Sequence, residues 1–257
     1  MFDTHLHTSF SRDSKMSSAD AIEQATAQGI NIIITEHLDL DYPENPEEFV
    51  FDFDEYFEML TPCRNDKVLL GVELGLRREC VAKNKEIISE WPFDEVIGSI
   101  HVVDGVDIYR PDFTRSNDKK VTYKRYFDIM SDCIKGFDDF DTLGHIDYIC
   151  RYAVYQDPEI RLKNFYDEWT TICRVLVEKE KVLEINTRRL DNKDATAALY
   201  ELYQRYRELG GKYITIGSDA HRLSAIGTKF DIAWEMAEKL SLRPVYFKER
   251  KMHFDEK

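Results

Sequence analysis

Residues 1–9 read MFDTHLHTS, and the pattern they start recurs six more times along the chain. A short apolar run ends in residues that can bind a metal. The runs span 1–5, 31–35, 68–74, 95–100, 142–145, 182–185 and 212–216. Most are rich in β-branched side chains, as strands prefer. Helical patterns fill the gaps. Ser17-Ser18-Ala19-Asp20 offers an N-cap with an acid in the first turn, and Gly29 can close that helix, with Ile22, Ala25 and Thr26 on its inner face. Leu199, Leu202, Tyr203 and Tyr206 recur at three- and four-residue steps before Gly210-Gly211. The stretch 226–240 contains a further helix, with Ile232, Met236 and Leu240 in register. Strand–helix alternation predicts parallel strands covered by helices, and both an open doubly wound sheet and a closed barrel satisfy it.

A chain of 257 residues suits one large α/β domain, and 43% hydrophobic residues suffice for a core. The net charge of −14 opposes binding to nucleic-acid polymers. A small anionic substrate stays compatible if metal ions reverse the sign locally. Cys63, Cys80, Cys133, Cys150 and Cys173 form no CxxC pair, so free thiols in a reducing cytoplasm are expected. No run of 18 apolar residues predicts a membrane span, and the N-terminus lacks the features of a signal peptide. No motif specifies the oligomeric state. Glycine-rich GxGxxG or GxxxxGK turns are absent after the runs, which disfavours dinucleotide-binding and P-loop readings. Segments 38–56 and 101–119 are long, follow strands, and are candidate loops over an active site.

The chemistry gathers at the ends of the runs. In order they supply Asp3, His5 and His7; Glu36 and His37; Glu73; His101; His145 and Asp147; Glu184 and Asn186; and Asp219 and His221. In α/β barrels the functional residues lie at the C-terminal ends of the strands. His5 and His7 are two apart, as are Asp219 and His221, so each pair shares a side of an extended segment. A lone histidine after a strand is usually a satisfied polar residue. Six at successive strand ends form a set, and His253 alone falls outside it. Imidazole and carboxylate without thiolate suit zinc, manganese or iron. Catalytic zinc usually takes three protein ligands, so this donor set suggests two or three ions, whose bound water would serve for hydrolysis. Other nucleophilic schemes fit less well. There is no GxSxG elbow, and paired acids of the glycosidase type would leave the histidines unexplained.

The segments DTHLHTSFSRDS, TEH, GVELG, GSIH, GHID, EINT and GSDAH, in this order, resemble the polymerase and histidinol phosphatase (PHP) superfamily from Asp3 to His221. IDYICRY and EINTRR are similar to its monofunctional histidinol-phosphate phosphatases. The resemblance implies a TIM-like, distorted (β/α)7 barrel, a single domain over 1–257, holding three divalent ions (Zn, Mn or Fe). His5, His7, Glu73 and Asp219 would hold the first. Glu73 would bridge to a second, also held by His101 and His145. Asp13, His37 and His221 would hold the third; many family members have histidine where Asp13 stands, and aspartate also ligates. Three divalent ions outweigh the charge of Asp13, Glu73 and Asp219 and would draw in a phosphate monoester. Arg151 and Arg188 would clamp its phosphate, with Arg110 and Arg115 as further candidates. Glu36 and Asp147 would orient histidine ligands, while Asp39 and Asp41 read as a solvated charged face.

The implied reaction is hydrolysis of a small phosphorylated substrate, L-histidinol phosphate first, by a metal-bridging hydroxide at His5, His7, Glu73, His101, His145 and Asp219. Its rivals are hydrolysis of another small phosphate ester, a nucleotide or phosphotyrosine, and a non-catalytic metal-binding module.

Overall fold

The computed structural model of the chain describes residues 1–115 and 118–256, so part of the 101–119 segment lies outside the described residues. In chain order it contains β1 (Phe2–Leu6), α1 (Ser18–Gln28), β2 (Asn31–Leu38), α2 (Phe53–Leu60), β3 (Val68–Gly75), α3 (Val81–Glu90), β4 (Glu95–Ser99) and a small hairpin of β5 (Val102–Val103) and β6 (Val106–Asp107). Then come α4 (Pro111–Arg115), α5 (Lys119–Gly136), β7 (Thr142–Leu143), α6 (Tyr148–Tyr152), α7 (Tyr166–Glu178), β8 (Val182–Asn186), α8 (Lys193–Glu208), β9 (Tyr213–Gly217), α9 (Phe230–Lys239), β10 (Arg243–Lys248) and β11 (Lys251–Phe254). Each of the seven expected runs is a strand.

The main sheet has nine strands in the order β1-β2-β3-β4-β7-β8-β9-β10-β11. Pairing is parallel throughout, except that β11 runs antiparallel to β10. Strand parity separates two chemistries. Ile32, Ile34, Leu70, Val72, Val96, Leu143, Leu183, Ile214 and Ile216 belong to the main apolar cluster shared with the helices. Thr35, His37, Gly71, Glu73, Glu95, Ser99, Thr142, Glu184 and Thr215 alternate with them. One face therefore packs the core and the other carries the polar groups. Near the start of the strands Phe2, Ile33 and Leu69 form a separate apolar cluster with Tyr246, whose ring stacks on Phe2 at 4.0 Å.

The first and seventh parallel strands meet where they end. Leu6 bridges Ala220, the His7 N–H donates to the Ala220 carbonyl at 2.8 Å, and the Asp219 N–H donates to the His5 carbonyl at 2.7 Å.

Local signals worked where they were backbone signals. Ser17 caps α1 by accepting from the Asp20 N–H, and Gly29 ends it with φ 69°. The inner face of α1 is Ala21 and Ala25, with Ile22 partly buried against the core; Thr26 is exposed, its hydroxyl bonded back to the Ile22 carbonyl at 2.7 Å. The helix expected within 226–240 is α9, and it begins only at Phe230. Gly227 has φ 66° and donates its N–H to Asp3 at 2.9 Å, and Lys229 has φ 62°, so the backbone turns twice out of helical geometry first. The β10–β11 hairpin was not anticipated, because Pro244 and flanking charges blur its alternation. His253 lies on it, exposed and stacked on Tyr246.

The same hairpin fastens the N-terminus. The Asp255 carboxylate accepts from the Phe2 N–H at 2.8 Å and lies 3.6 Å from the terminal ammonium. Asp255→Ala would leave a buried N–H unpaired, and stability should fall by about 1–3 kcal/mol. Urea unfolding monitored by circular dichroism measures this; an unchanged midpoint would show that the contact does not secure β1.

Candidate metal centre

Glu73, near the C-terminal end of β3, is fully buried, and five imidazoles surround its carboxylate. His145 Nε2 lies 2.6 Å and His101 Nε2 3.3 Å from Oε1. His37 Nδ1 lies 2.8 Å from Oε2, and His5 and His7 Nε2 each 3.4 Å from it. The parallel register sets His37 on β2 directly beside Glu73. His5 and His7 Nε2 are 3.1 Å apart, as their shared parity predicts.

Asp219 adds a second carboxylate. Its Oδ1 lies 3.5 Å from His7 Nε2, 3.5 Å from His221 Nδ1 and 4.0 Å from His5 Nε2. Strand parity was the wrong reason for this pairing. β9 stops at Gly217, and Asp219 has φ 53°, a left-handed residue that turns the chain into the site. Such backbone costs about 1–3 kcal/mol and tends to be kept at functional sites. Asp13 Oδ2 is 3.2 Å from His221 Nε2 and 3.6 Å from His37 Nε2, at the exposed edge of the cluster. All nine expected ligand residues thus come together. Four sets also place one donor atom per residue within 4.8 Å of one another: His5, His7 and Asp219; His5, Glu73 and His145; His7, His37 and His221; and His37, Asp39 and His101.

The electrostatics follow from this crowding. Burial pushes the Glu73 carboxyl up, but His5, His101, His37 and His145 together hold it well below the usual carboxylate range. Burial likewise opposes ionisation of Asp219, and Arg151 foremost reverses that. Burial depresses His7, reinforced by neighbouring His37 and His221. Against burial, Glu184 and Glu73 raise His5, and Asp39 and Glu73 raise His101.

A second row of groups fixes the ring orientations. Glu184 on β8 lies 2.7 Å from His5 Nδ1 through Oε1, and Oε2 accepts the His145 N–H at 2.6 Å. Asp39 takes His101 Nδ1 at 3.0 Å and is buried, which overturns its reading as a solvated acid. Asp41 is the exposed one, paired with Lys83. Since β2 runs to Leu38, Asp39 shares parity with His37, the signal that could have found it. Glu36 touches no imidazole. It accepts from Thr8 and Ser11, and Ser11 Oγ lies 3.1 Å from His7 Nδ1. Asp147 holds Arg189 at 2.8 Å rather than a histidine. The lower polar face is closed by Asp3, which accepts from the Ser218 and Gly227 N–H groups, its carboxyl pushed up to about 6 by burial.

Arg151 on α6 is buried against this cluster, donating to Asp219 Oδ2 at 2.5 Å and Asn186 Oδ1 at 3.0 Å. Arg188 donates to the Asp219 carbonyl at 3.3 Å, with its side chain 42% exposed toward the mouth. Arg110 and Arg115 are exposed and pair with Glu44 and Asp112, so neither turns inward.

Residues 3–188 match the PHP domain family. The chain belongs to that family. Asp219 and His221 lie beyond the matched stretch but within full-length relatives. The chain is 46% identical to a probable histidinol-phosphatase of Clostridium acetobutylicum, with 99% of each chain covered. It is 31% identical to the histidinol-phosphatase of Lactococcus lactis, over 85% of this chain and 83% of that one. Its fold is similar to the crystal structure of histidinol phosphate phosphatase from Lactococcus lactis, complexed with zinc, L-histidinol and phosphate. The TM-score is 0.93 at 29% identity, covering 98% of both chains.

The glycines of the family-like motifs make room for the second row. A Cβ on Gly217 would overlap Glu184 Oε1 and His5 Cβ, and one on Gly75 would overlap Asp39. Gly217→Ala should therefore destabilise by about 1–3 kcal/mol through overpacking. Gly136→Ala, where a Cβ meets nothing within 4 Å, should be neutral or stabilising. Urea unfolding of the pair decides: equal midpoints would mean that the Gly217 site relaxes freely.

Proposed function

We propose that this chain is a metal-dependent phosphomonoesterase that hydrolyses L-histidinol phosphate to L-histidinol and orthophosphate. The observation that carries the reading is the meeting of five imidazoles around the buried Glu73 carboxylate. The donor set fits metal: Glu73 Oε2, His37 Nδ1 and His101 Nε2 are buried with no hydrogen-bond partner. Unpartnered donors and acceptors in a dry site are costly, and a cation satisfies them.

His5, His7, Glu73 and Asp219 would hold one ion. Glu73 would share a second with His101 and His145, and Asp13, His37 and His221 would hold a third. Zinc is the ion named with the Lactococcus lactis structure, and these donors equally accept manganese or iron. Divalent ions held there supply an activated water near neutral pH and neutralise phosphoryl charge. The chain's own residues do the rest. Arg151 and Arg188 flank Asp219 and present guanidinium groups to the phosphoryl oxygens. Glu184 fixes the ring of His5 and the backbone of His145, and Asp39 fixes the ring of His101. The hydrogen bonds joining β1 to the segment after β9 support reading the seven parallel strands from β1 to β9 as one distorted (β/α)7 barrel, with β10 outside the ring. In that reading the whole chain is a single domain with the ligands around one mouth. No helix among the described residues is long and apolar enough to cross a membrane, and the cysteines are free, in keeping with a cytoplasmic enzyme for a small phosphorylated metabolite.

Removing metal with a chelator should abolish phosphate release from histidinol phosphate, and a divalent ion should restore it. Undiminished activity in metal-free protein would overturn the metal reading. Turnover no faster than that of a generic aryl phosphate would overturn the substrate. Glu184→Gln keeps the shape but removes the charge behind His5. Metal affinity should drop about 10–100-fold, measured by competition with a chromophoric chelator; unaltered affinity would remove Glu184 from the site.

A further inference from the structure

Arg189 follows Arg188 in the three-residue 3-10 turn Thr187–Arg189 that ends β8, and the two side chains diverge. Arg188 reaches Asp219. Arg189 turns to the other side, into a mostly buried space, where Nη1 donates to Asp147 Oδ2 at 2.8 Å and Nη2 to Glu159 Oε1 at 2.5 Å. Its side chain is 13% exposed, and those of the two acids are 6% and 4%.

Both partners matter for position. Asp147 is two residues past His145 and stands at the N-terminal cap of α6, where its carbonyl accepts the Cys150 N–H at 2.9 Å. Helix α6 is one short turn and a half, and it carries Arg151 to Asp219 and Asn186. Glu159 belongs to the segment that leaves α6 for α7, and Lys119 ties its carbonyl to α5 at 2.8 Å. A helix this short has little stability of its own. Something must fix it, and a guanidinium fork bridging its cap and its exit does so with directional, charge-assisted bonds.

We infer that Arg189 is the common anchor of the two phosphate-facing arginines: it locks α6 and with it Arg151, and it locks the 3-10 turn and with it Arg188. It is a positioning residue and touches neither the donor cluster nor the space in front of it. The inference rests on the phosphatase reading for its kinetic consequence, not for its structural one.

Removing Arg189 alone leaves two buried acids facing each other, which can unfold the segment. The informative variant therefore discharges all three, R189M/D147N/E159Q, since a buried charged group replaced together with its partners is often tolerated. Arg189→Lys is the conservative companion, with a charge but no fork. In the holoenzyme the triple variant should raise both the KM for histidinol phosphate and the inhibition constant of orthophosphate about tenfold or more. It should keep wild-type metal content, and Arg189→Lys should fall between. A merely structural defect lowers kcat through the folded fraction and leaves KM and phosphate inhibition alone; that result, or wild-type constants in the triple variant, overturns the proposal. Hydrogen exchange separates this outcome from failure of the enzymatic reading. Amides of 147–152 and 187–190 should exchange faster in the triple variant even if the wild type hydrolyses no phosphate ester, and unchanged protection there overturns the anchor.

Discussion

Glu73 has no contact with solvent, and its two oxygens are shared by five imidazoles drawn from four strand ends. A buried carboxylate without compensating charge is too costly for a domain of ordinary stability to carry. The requirement to surround it explains much of the architecture. The strands must run parallel so that their C-terminal ends gather. One parity must be polar while the other builds the core. β1 must also reach the segment after β9, because His5 and His7 enter from one and Asp219 and His221 from the other.

Crowding so many side chains then creates a problem of space and direction. An imidazole offers two nitrogens, and only one can face the centre. Glu184, Asp39 and Ser11 take up the outer nitrogens of His5, His101 and His7. The two acids need a place to stand, and the chain provides it by omitting side chains at Gly217 and Gly75. Gly217 of GSDAH and Gly75 of GVELG are thus vacancies for the acids behind the histidines rather than turns, and neither has a positive φ.

This division also marks what a reader of the sequence could and could not see. Strand position and parity bring His5, His7, His37, Glu73, His101 and His145 together, because both are local properties of extended chain. Asp219 was found for a faulty reason, since its left-handed backbone, not strand parity, aims it. Asp39 was hidden by its setting in an acidic loop, although β2 runs far enough to give it the parity of His37. Nothing local marks Arg189, since β8 ends before it and its partners lie 42 and 30 residues away. The β10–β11 hairpin had no strong alternation, yet it plugs the apolar base and holds the first residue of β1. Contacts across such separations leave little periodic trace in a single sequence.

Asp219 joins the two halves of the site. Its Oδ1 faces His5, His7 and His221, whereas its Oδ2 is held by Arg151 at 2.5 Å. A cation on the histidine side and a guanidinium on the other compete for the same charge. A cation held by the histidines would draw on that charge, weaken its claim on Arg151 and leave the arginine freer to meet another anion. In a chain of net charge −14, Asp219 keeps this buried arginine neutralised. Under the proposed function, one carboxylate with two faces would thus couple filling of the donor cluster to readiness for phosphate.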